Sequence, residues 1–278
     1  MINNKILALK YRPQAFKDLI GQEILAKTIN NAISLGKTPN AYLLTGIRGV
    51  GKTTTARLIA KALNCEKNTD KNIKCSAEIF CDTCKEIVNS NHMDILEMDA
   101  ASKTGIDDVR ELIENSKYSP VSAKFKIFII DEVHMLSKQA FNGLLKTLEE
   151  PPPRLKFILA TTEVRKIPVT ILSRCQRFDL KRVGLEKLLE HLKKISKLEE
   201  GKISEDALML IARASEGSVR DGISLLDRAL ISQTIEEKEI QAIDVRKMLG
   251  LADKSRIISL FKEILSGNQK EAVINLKD

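Results

Sequence analysis

The chain has 278 residues, 43% hydrophobic and 29% charged, enough for about two domains with cores of their own. No apolar run approaches the ~20 residues of a membrane span, no signal-peptide core opens the chain, and five cysteines without marks of secretion argue against a disulfide scaffold. A cytoplasmic protein with no membrane partner is expected. Lys and Arg number 45 against 37 Asp and Glu, a net +8. Residues 1–60 hold nine basic and two acidic side chains, so +7 lies there and +1 in the rest.

Short apolar runs predict strands at 41–46 (AYLLTG), 94–99 (DILEMD), 126–132 (KIFIIDE), 156–162 (KFILATT) and 175–180 (CQRFDL). Helical stripes lie between them: Ala56, Ile59, Ala60 and Leu63; Val109, Leu112 and Ile113; Phe141, Leu144, Leu145 and Leu148. Strands alternating with helices imply an α/β domain with a parallel sheet, covering residues 1–180. After 181 only helical stripes remain: Leu185, Leu188, Leu189 and Leu192; Ala207, Leu208, Ile211 and Ala212; Ile223, Leu226 and Leu230. Ser204 ahead of Glu205 and Asp206 predicts a helix N-cap. Residues 181–242 are expected to form an all-helical domain. Residues 243–278, with stripes at Ile257, Leu260, Phe261, Ile264 and at Ala272, Val273, Leu276, read as the start of a third helical domain, cut short.

The strongest motif is GIRGVGKT, Gly46–Thr53, between a predicted strand and a predicted helix. Such a loop wraps its amides around phosphate oxygens, so Gly46, Arg48, Gly49, Val50, Gly51, Thr53 and Thr54 are candidate nucleotide contacts. Lys52 would reach the β- and γ-phosphates and the Thr53 hydroxyl would hold Mg²⁺. The strand IFII ends in Asp131, which would join the Mg²⁺ shell, and Glu132, placed to polarise a water against the γ-phosphate. Four cysteines cluster as C-x9-C-x5-C-x2-C at Cys65, Cys75, Cys81 and Cys84, favouring a structural zinc with no open coordination position. Cys175 is left over and expected to be packed, and His92 and His134 are expected to be structural.

With KYRPQAFKDLIGQE, TGIRGVGKTTTARLIAKALNC, FIIDEVHMLSKQAFNGLLKTLEEPP, ILATTEVRKIPVTILSRCQRF and EGSVRDGISLLDRAL, the chain resembles the AAA+ ATPases. More narrowly, it is similar to the clamp loader ATPases of bacterial DNA polymerase III. The resemblance spans the whole chain. It implies a five-stranded parallel sheet with a zinc insert at 65–84, a helical lid and the beginning of a helical collar. It implies that Tyr11, Arg12 and Pro13 border the adenine and that Thr162 senses the γ-phosphate. Arg174 would act as an arginine finger on the neighbouring subunit's ATP, and Arg220 would reach the γ-phosphate from the lid. The family usually has a tighter C-x2-C-x2-C; here three more residues separate Cys75 from Cys81.

The resemblance also implies partners: other clamp loader subunits in a hetero-pentamer, a sliding clamp and primer-template DNA. Lys103, Arg110 and Lys138, at or near helix starts, are candidate contacts to DNA phosphates. Three rivals stand beside an ATP-driven clamp loader subunit: a non-hydrolysing subunit of the same assembly, a DNA-translocating motor, and a zinc-dependent nucleic-acid module.

Overall fold

In the computed structural model, which describes residues 6–69, 72–73, 75, 80–236, 239–250 and 254–277, the apolar runs form one parallel sheet. Its strands are β1 (Ala41–Thr45), β2 (Ile95–Asp99), β3 (Lys126–Asp131), β4 (Leu155–Thr161) and β5 (Gln176–Asp179), in spatial order β2-β3-β4-β1-β5. Each lies within a residue of its predicted limits. β1 sits between β4 and β5, with Leu43 opposite Leu159 on one side and Arg177 on the other.

The strand repeat of two sends alternate side chains to opposite faces. Tyr42, Leu44, Ile127, Ile129 and Ile158 pack with α1 (Glu23–Ser34) and α2 (Lys52–Asn64). Leu43, Phe128, Ile130, Phe157 and Leu159 pack with the two helices on the other face. A two-residue antiparallel ladder, Asn68–Thr69 with Asn72–Ile73, and α3 (Asp82–Val88) follow α2. The helices of the second face are α4 (Ile106–Ser116) and α5 (Lys138–Glu149). The predicted stripes are the faces that touch the sheet: Ala56, Ile59, Ala60 and Leu63 on one side, Phe141, Leu144 and Leu148 on the other.

Beyond β5 the chain is helical: α6 (Leu185–Leu198), α7 (Glu205–Ala214), α8 (Val219–Glu236) and α9 (Ala242–Leu249). Ser204 caps α7 as expected, its side chain accepting the Ala207 N–H. Leu188, Leu192, Ile211 and Leu226 make a separate core that also takes in Leu7 from the N-terminal segment. The N-terminal segment thus bridges the two parts, with Leu7 in the helical core and Phe16 and Leu19 in the sheet core. α10 (Lys254–Leu265) and α11 (Gln269–Lys277) pack on each other and leave Phe261, Ile264 and Leu276 exposed. The surroundings of Ile257, in the predicted stripe, lie outside the described residues.

Candidate functional site

β1 runs in the core up to Thr45, and the next turn delivers the chain to the N-terminus of α2. Gly49 and Gly51 have φ of 75° and 103°, in the left-handed region that glycine adopts freely. A Cβ on Gly49 would stand 2.1 Å from Ser218 Oγ and 3.2 Å from Arg220 Cβ. The loop and the first turn of α8 therefore touch at a distance only glycine permits. The Arg220 N–H donates to the Gly49 carbonyl at 3.2 Å.

Lys52 is buried, and its Nζ donates to the carbonyls of Gly46 and Ile47, each at 3.1 Å. Burial lowers its pKa, while Glu132 and Asp131 pull it up and Arg48 adds to the lowering. The Thr53 hydroxyl donates to the Asp131 carboxylate. Because β3 and β4 are neighbours, the acids at the end of β3 lie beside Thr162, just past β4. Glu132 accepts the Thr162 Oγ1–H at 3.0 Å and its N–H at 3.3 Å. Glu132 has φ of 46°, an uncommon conformation for a residue with a side chain.

All predicted nucleotide residues except Gly46 line one cleft of about 1000 Å³: Tyr11, Arg12, Pro13, Arg48 to Thr54, Asp131, Glu132, Thr162 and Arg220. Gly46 contributes through its carbonyl, which holds Lys52. Arg12 Nε donates to Thr54 Oγ1 at 3.1 Å. Its pKa is lowered by burial and then by the charge of Arg57, with Arg220 acting in the same sense. Arg12, Lys52 and Arg220 thus converge on one space, which favours a polyanion there. Tyr11 lines the cleft and also donates its hydroxyl to Glu199, just past α6, where Lys10 Nζ lies 2.7 Å from the same carboxylate. Burial raises the Tyr11 phenol to about 12, with the Glu199 hydrogen bond and charge adding to it.

The cleft has walls that sequence reasoning missed. Ile20, His191, Val219 and Ile223 line it from the N-terminal segment and from α6 and α8. Ile20, Val219 and Ile223 fall within segments that carry the resemblance but without a role of their own there, and His191 lies in no motif. Burial lowers the His191 pKa, and Lys194 lowers it further.

Arg174 does not line the cleft. Its guanidinium pairs with Glu149 and donates to the Thr170 carbonyl. Lys103, Arg110 and Lys138 are exposed and lie outside the cleft, with Arg110 paired to Asp107 at 2.9 Å. The Ser137 N–H donates to the Thr104 carbonyl, joining the turn of Lys103 to the start of α5 at Lys138. His134 is enclosed by its own neighbours, with Nδ1 3.0 Å from Thr161 Oγ1, and His92 Nδ1 accepts the Asp94 N–H at 3.0 Å.

The sulfurs of Cys65, Cys75, Cys81 and Cys84 all lie within 4.8 Å of one another, and all four residues are buried. A Zn–S bond of about 2.3 Å sets tetrahedral sulfurs about 3.8 Å apart, so this set fits one zinc. The longer spacing between Cys75 and Cys81 does not prevent convergence. Burial raises Cys65 to about 11 and raises Cys84 further. Burial also acts to raise Cys81, but backbone and side-chain hydrogen bonds from Cys84 outweigh it and leave that thiol lowered. Cys175 packs against the second sheet face, and burial raises it to about 11.

The loop after β1, the acids ending β3 and a helical lid touching that loop define a P-loop nucleotide-binding protein of the AAA+ class. Family models match the chain in three consecutive parts. They are DNA polymerase III, delta subunit, at 21–184; DNA polymerase III clamp loader subunit, ATPase lid domain, at 187–233; and DNA polymerase III subunits gamma and tau domain III, at 240–278. The chain is 48% identical over 275 residues to DNA polymerase III subunit gamma/tau of Mycoplasma genitalium, covering 99% of this chain and 45% of the relative. It is 45% identical over 273 residues to subunit tau of Escherichia coli, covering 98% and 41%. Subunit gamma of Buchnera aphidicola subsp. Schizaphis graminum is 45% identical over 270 residues, covering 97% and 72%. The chain belongs to the gamma/tau family of DNA polymerase III subunits. It spans less than half the length of the gamma/tau and tau relatives named here.

Among solved structures, the Thermotoga maritima RuvB Holliday junction branch migration motor aligns with a TM-score of 0.63 at 22% identity, covering 93% of this chain and 80% of that chain. This likeness concerns the fold. Among the described residues no helix is long and apolar enough to cross a membrane.

Proposed function

We propose that this chain is an ATP-hydrolysing subunit of a bacterial clamp loader, using ATP to place a sliding clamp on primed DNA. One observation carries the reading: the phosphate loop, Asp131, Glu132, Thr162 and Arg220 share one cleft, while Arg174 points elsewhere. A chain that supplies every part but the finger suits hydrolysis at an interface between subunits.

ATP enters with its triphosphate against the amides of residues 48–54. Lys52 exchanges the carbonyls of Gly46 and Ile47 for phosphate oxygens. Thr53 and Asp131 would hold Mg²⁺, which neutralises developing phosphate charge. Glu132 polarises the attacking water once Thr162 releases its carboxylate to the γ-phosphate side. Arg220 brings the lid to the same phosphate, and Tyr11, Arg12 and Pro13 border the base. Arg174 of each subunit acts on the nucleotide of the next, where a planar, permanently charged guanidinium suits an equatorial phosphoryl oxygen. Zinc at Cys65, Cys75, Cys81 and Cys84 is structural, since four thiolates leave no open position.

The division is a P-loop domain at 1–180 with a zinc module at 65–84, a lid at 181–242 and the beginning of a collar at 243–278. The partners are the other subunits of a hetero-pentamer, the sliding clamp and primer-template DNA. Lys103, Arg110 and Lys138, around the α4 and α5 starts, contact DNA phosphates without reading sequence. The work is conformational: ATP favours one assembly geometry and its hydrolysis reverses that bias. The test is ATPase activity of the assembled complex with clamp and primed DNA. Stimulated turnover that falls to background with Lys52→Ala supports the proposal, and turnover unchanged by that substitution refutes it.

A further inference from the structure

Lys61 is a buried cation with no carboxylate partner among the described residues. It lies in the last turn of α2 and is 3% exposed. Its Nζ donates to the Gln14 carbonyl at 2.9 Å and the Cys75 carbonyl at 3.3 Å, and stands 4.1 Å from the centroid of the Phe80 ring. Among the described residues no Asp or Glu oxygen is within 4.0 Å of it. Carbonyls and a ring face solvate an ammonium, but they do not neutralise it, and an unpaired buried charge is costly. The Cys75 carbonyl that Lys61 holds belongs to one of four cysteines whose sulfurs lie within 4.8 Å of one another. The sulfurs carry charge only as thiolates, and four thiolates around Zn²⁺ leave a net charge of −2.

We infer that Lys61 is the counter-cation of the zinc–thiolate cluster and ties the state of that cluster to the nucleotide-side segment at Arg12–Gln14. The tie follows from its two carbonyl partners. Cys75 belongs to the cluster. Gln14 belongs to a segment whose Arg12 lines the ATP cleft and bonds Thr54, and the Gln14 side chain donates back to the Arg12 carbonyl at 3.1 Å. One segment is thus fastened to α2 twice, at Thr54 and at Lys61. With the metal bound, the cluster charge holds the ammonium inside. Without the metal, the loop that presents the Cys75 carbonyl is no longer fixed, and the ammonium loses that partner and its hold on Gln14. The module is then more than a staple on the surface: it secures one of two fastenings of the adenine-side segment.

The inference rests on the cysteines being zinc ligands, and the experiment separates the two. Zinc affinity of the full chain is measured by competition with a chromophoric chelator, without nucleotide. Lys61→Met, of similar length and neutral, is expected to bind Zn²⁺ about 10–100-fold more weakly than the parent, and Lys61→Arg is expected to recover most of that loss. Parent-like affinity in Lys61→Met, or no recovery in Lys61→Arg, overturns the inference. If Lys61→Met does not fold, Phe80→Leu replaces it; severalfold weaker zinc binding is expected, and unchanged binding overturns the inference. The second readout is ATP affinity with zinc loaded or stripped. Stripping is expected to weaken ATP binding severalfold in the parent and to add nothing in Lys61→Met. Equal ATP affinity in the loaded and stripped parent overturns the coupling. A parent that binds no zinc ends the reading of the cysteines themselves, whereas a zinc-binding parent indifferent to residue 61 ends only the inference about Lys61.

Discussion

Gly49→Ala measures the contact between the phosphate loop and the lid. Two costs add. At φ of 75° an alanine pays about 1–2 kcal/mol for the left-handed backbone. The new methyl also falls 2.1 Å from Ser218 Oγ, and something must give. If Ser218 turns away, it abandons the Asp221 N–H it caps at 3.3 Å, worth about 1 kcal/mol. If the lid edge retreats instead, the Arg220 N–H leaves the Gly49 carbonyl at a similar cost of about 1 kcal/mol. Either route sums to about 2–3 kcal/mol of folding stability, since the contact is present without nucleotide. Urea denaturation of the nucleotide-free protein reads it directly. Gly36→Ala is the control: φ is 66°, nothing lies within 4 Å of the added Cβ, and the site is remote. It should lose only the backbone strain, about 1–2 kcal/mol, with no contact cost. A Gly49→Ala protein no less stable than Gly36→Ala would refute the premise that loop and lid are in contact.

Arg174→Ala should leave ATP affinity of the isolated chain unchanged and cut turnover of the assembled complex at least a hundredfold; weaker binding by the isolated chain would place its role within its own subunit. The half-exposed Glu149 pair that it breaks is worth under about 1 kcal/mol. Asp94→Asn tests a buried carboxylate that accepts the N–H groups of Val121, Ser122 and Ala123, each at 2.8 Å. Burial alone would raise this carboxyl, but those donors outweigh it and hold its pKa below the usual range. A depressed pKa gives stability that is present above the unfolded value of about 3.9 and is lost as pH falls through the folded one. The variant should therefore be about 1–3 kcal/mol less stable in urea at pH 7, with the gap narrowing below about pH 4; a gap constant to pH 2 would rule out the charge as its source. Zinc affinity should rise with pH between 6 and 8.5, because thiols held up by burial at Cys65 and Cys84 must lose protons to the metal; a flat profile would argue against thiolate ligation.

What was legible in the sequence was local. Ile127–Ile130 reads as a buried strand because an unbroken apolar run has few other uses, and the acids that end it are placed by the same run. Gly46–Thr53 is legible because its spacing is itself the structure of the loop. The cysteines are legible as a set, although their spacing departs from the expected one, because a metal site asks where sulfurs meet rather than how many residues separate them. Illegible were the partners made by distant segments. Tyr11 meets Glu199 and Arg174 meets Glu149 through folding alone. Lys61 reads in sequence as a polar residue amid a helical stripe, yet it is buried with its ammonium held by the Gln14 and Cys75 carbonyls. His191 and Val219 enter the cleft only because the lid closes there. Net charge was also a poor guide, since the basic excess of residues 1–60 includes Arg12 and Lys52, which line the cleft rather than an open surface.

The strand order has a further consequence, for synthesis rather than for chemistry. Both hydrogen-bonded neighbours of β1 come later in the chain, beginning at Leu155 and Gln176. A chain leaving the ribosome N-terminus first exposes its phosphate loop on an unpaired strand until those residues have been made. The cysteine cluster closes between residues 65 and 84 and has no such wait. All four cysteines are therefore made before the strands that flank β1, and the cleft exists only once those last strands have slotted in on either side of it. Truncation ahead of β4 then leaves the cysteines without the cleft.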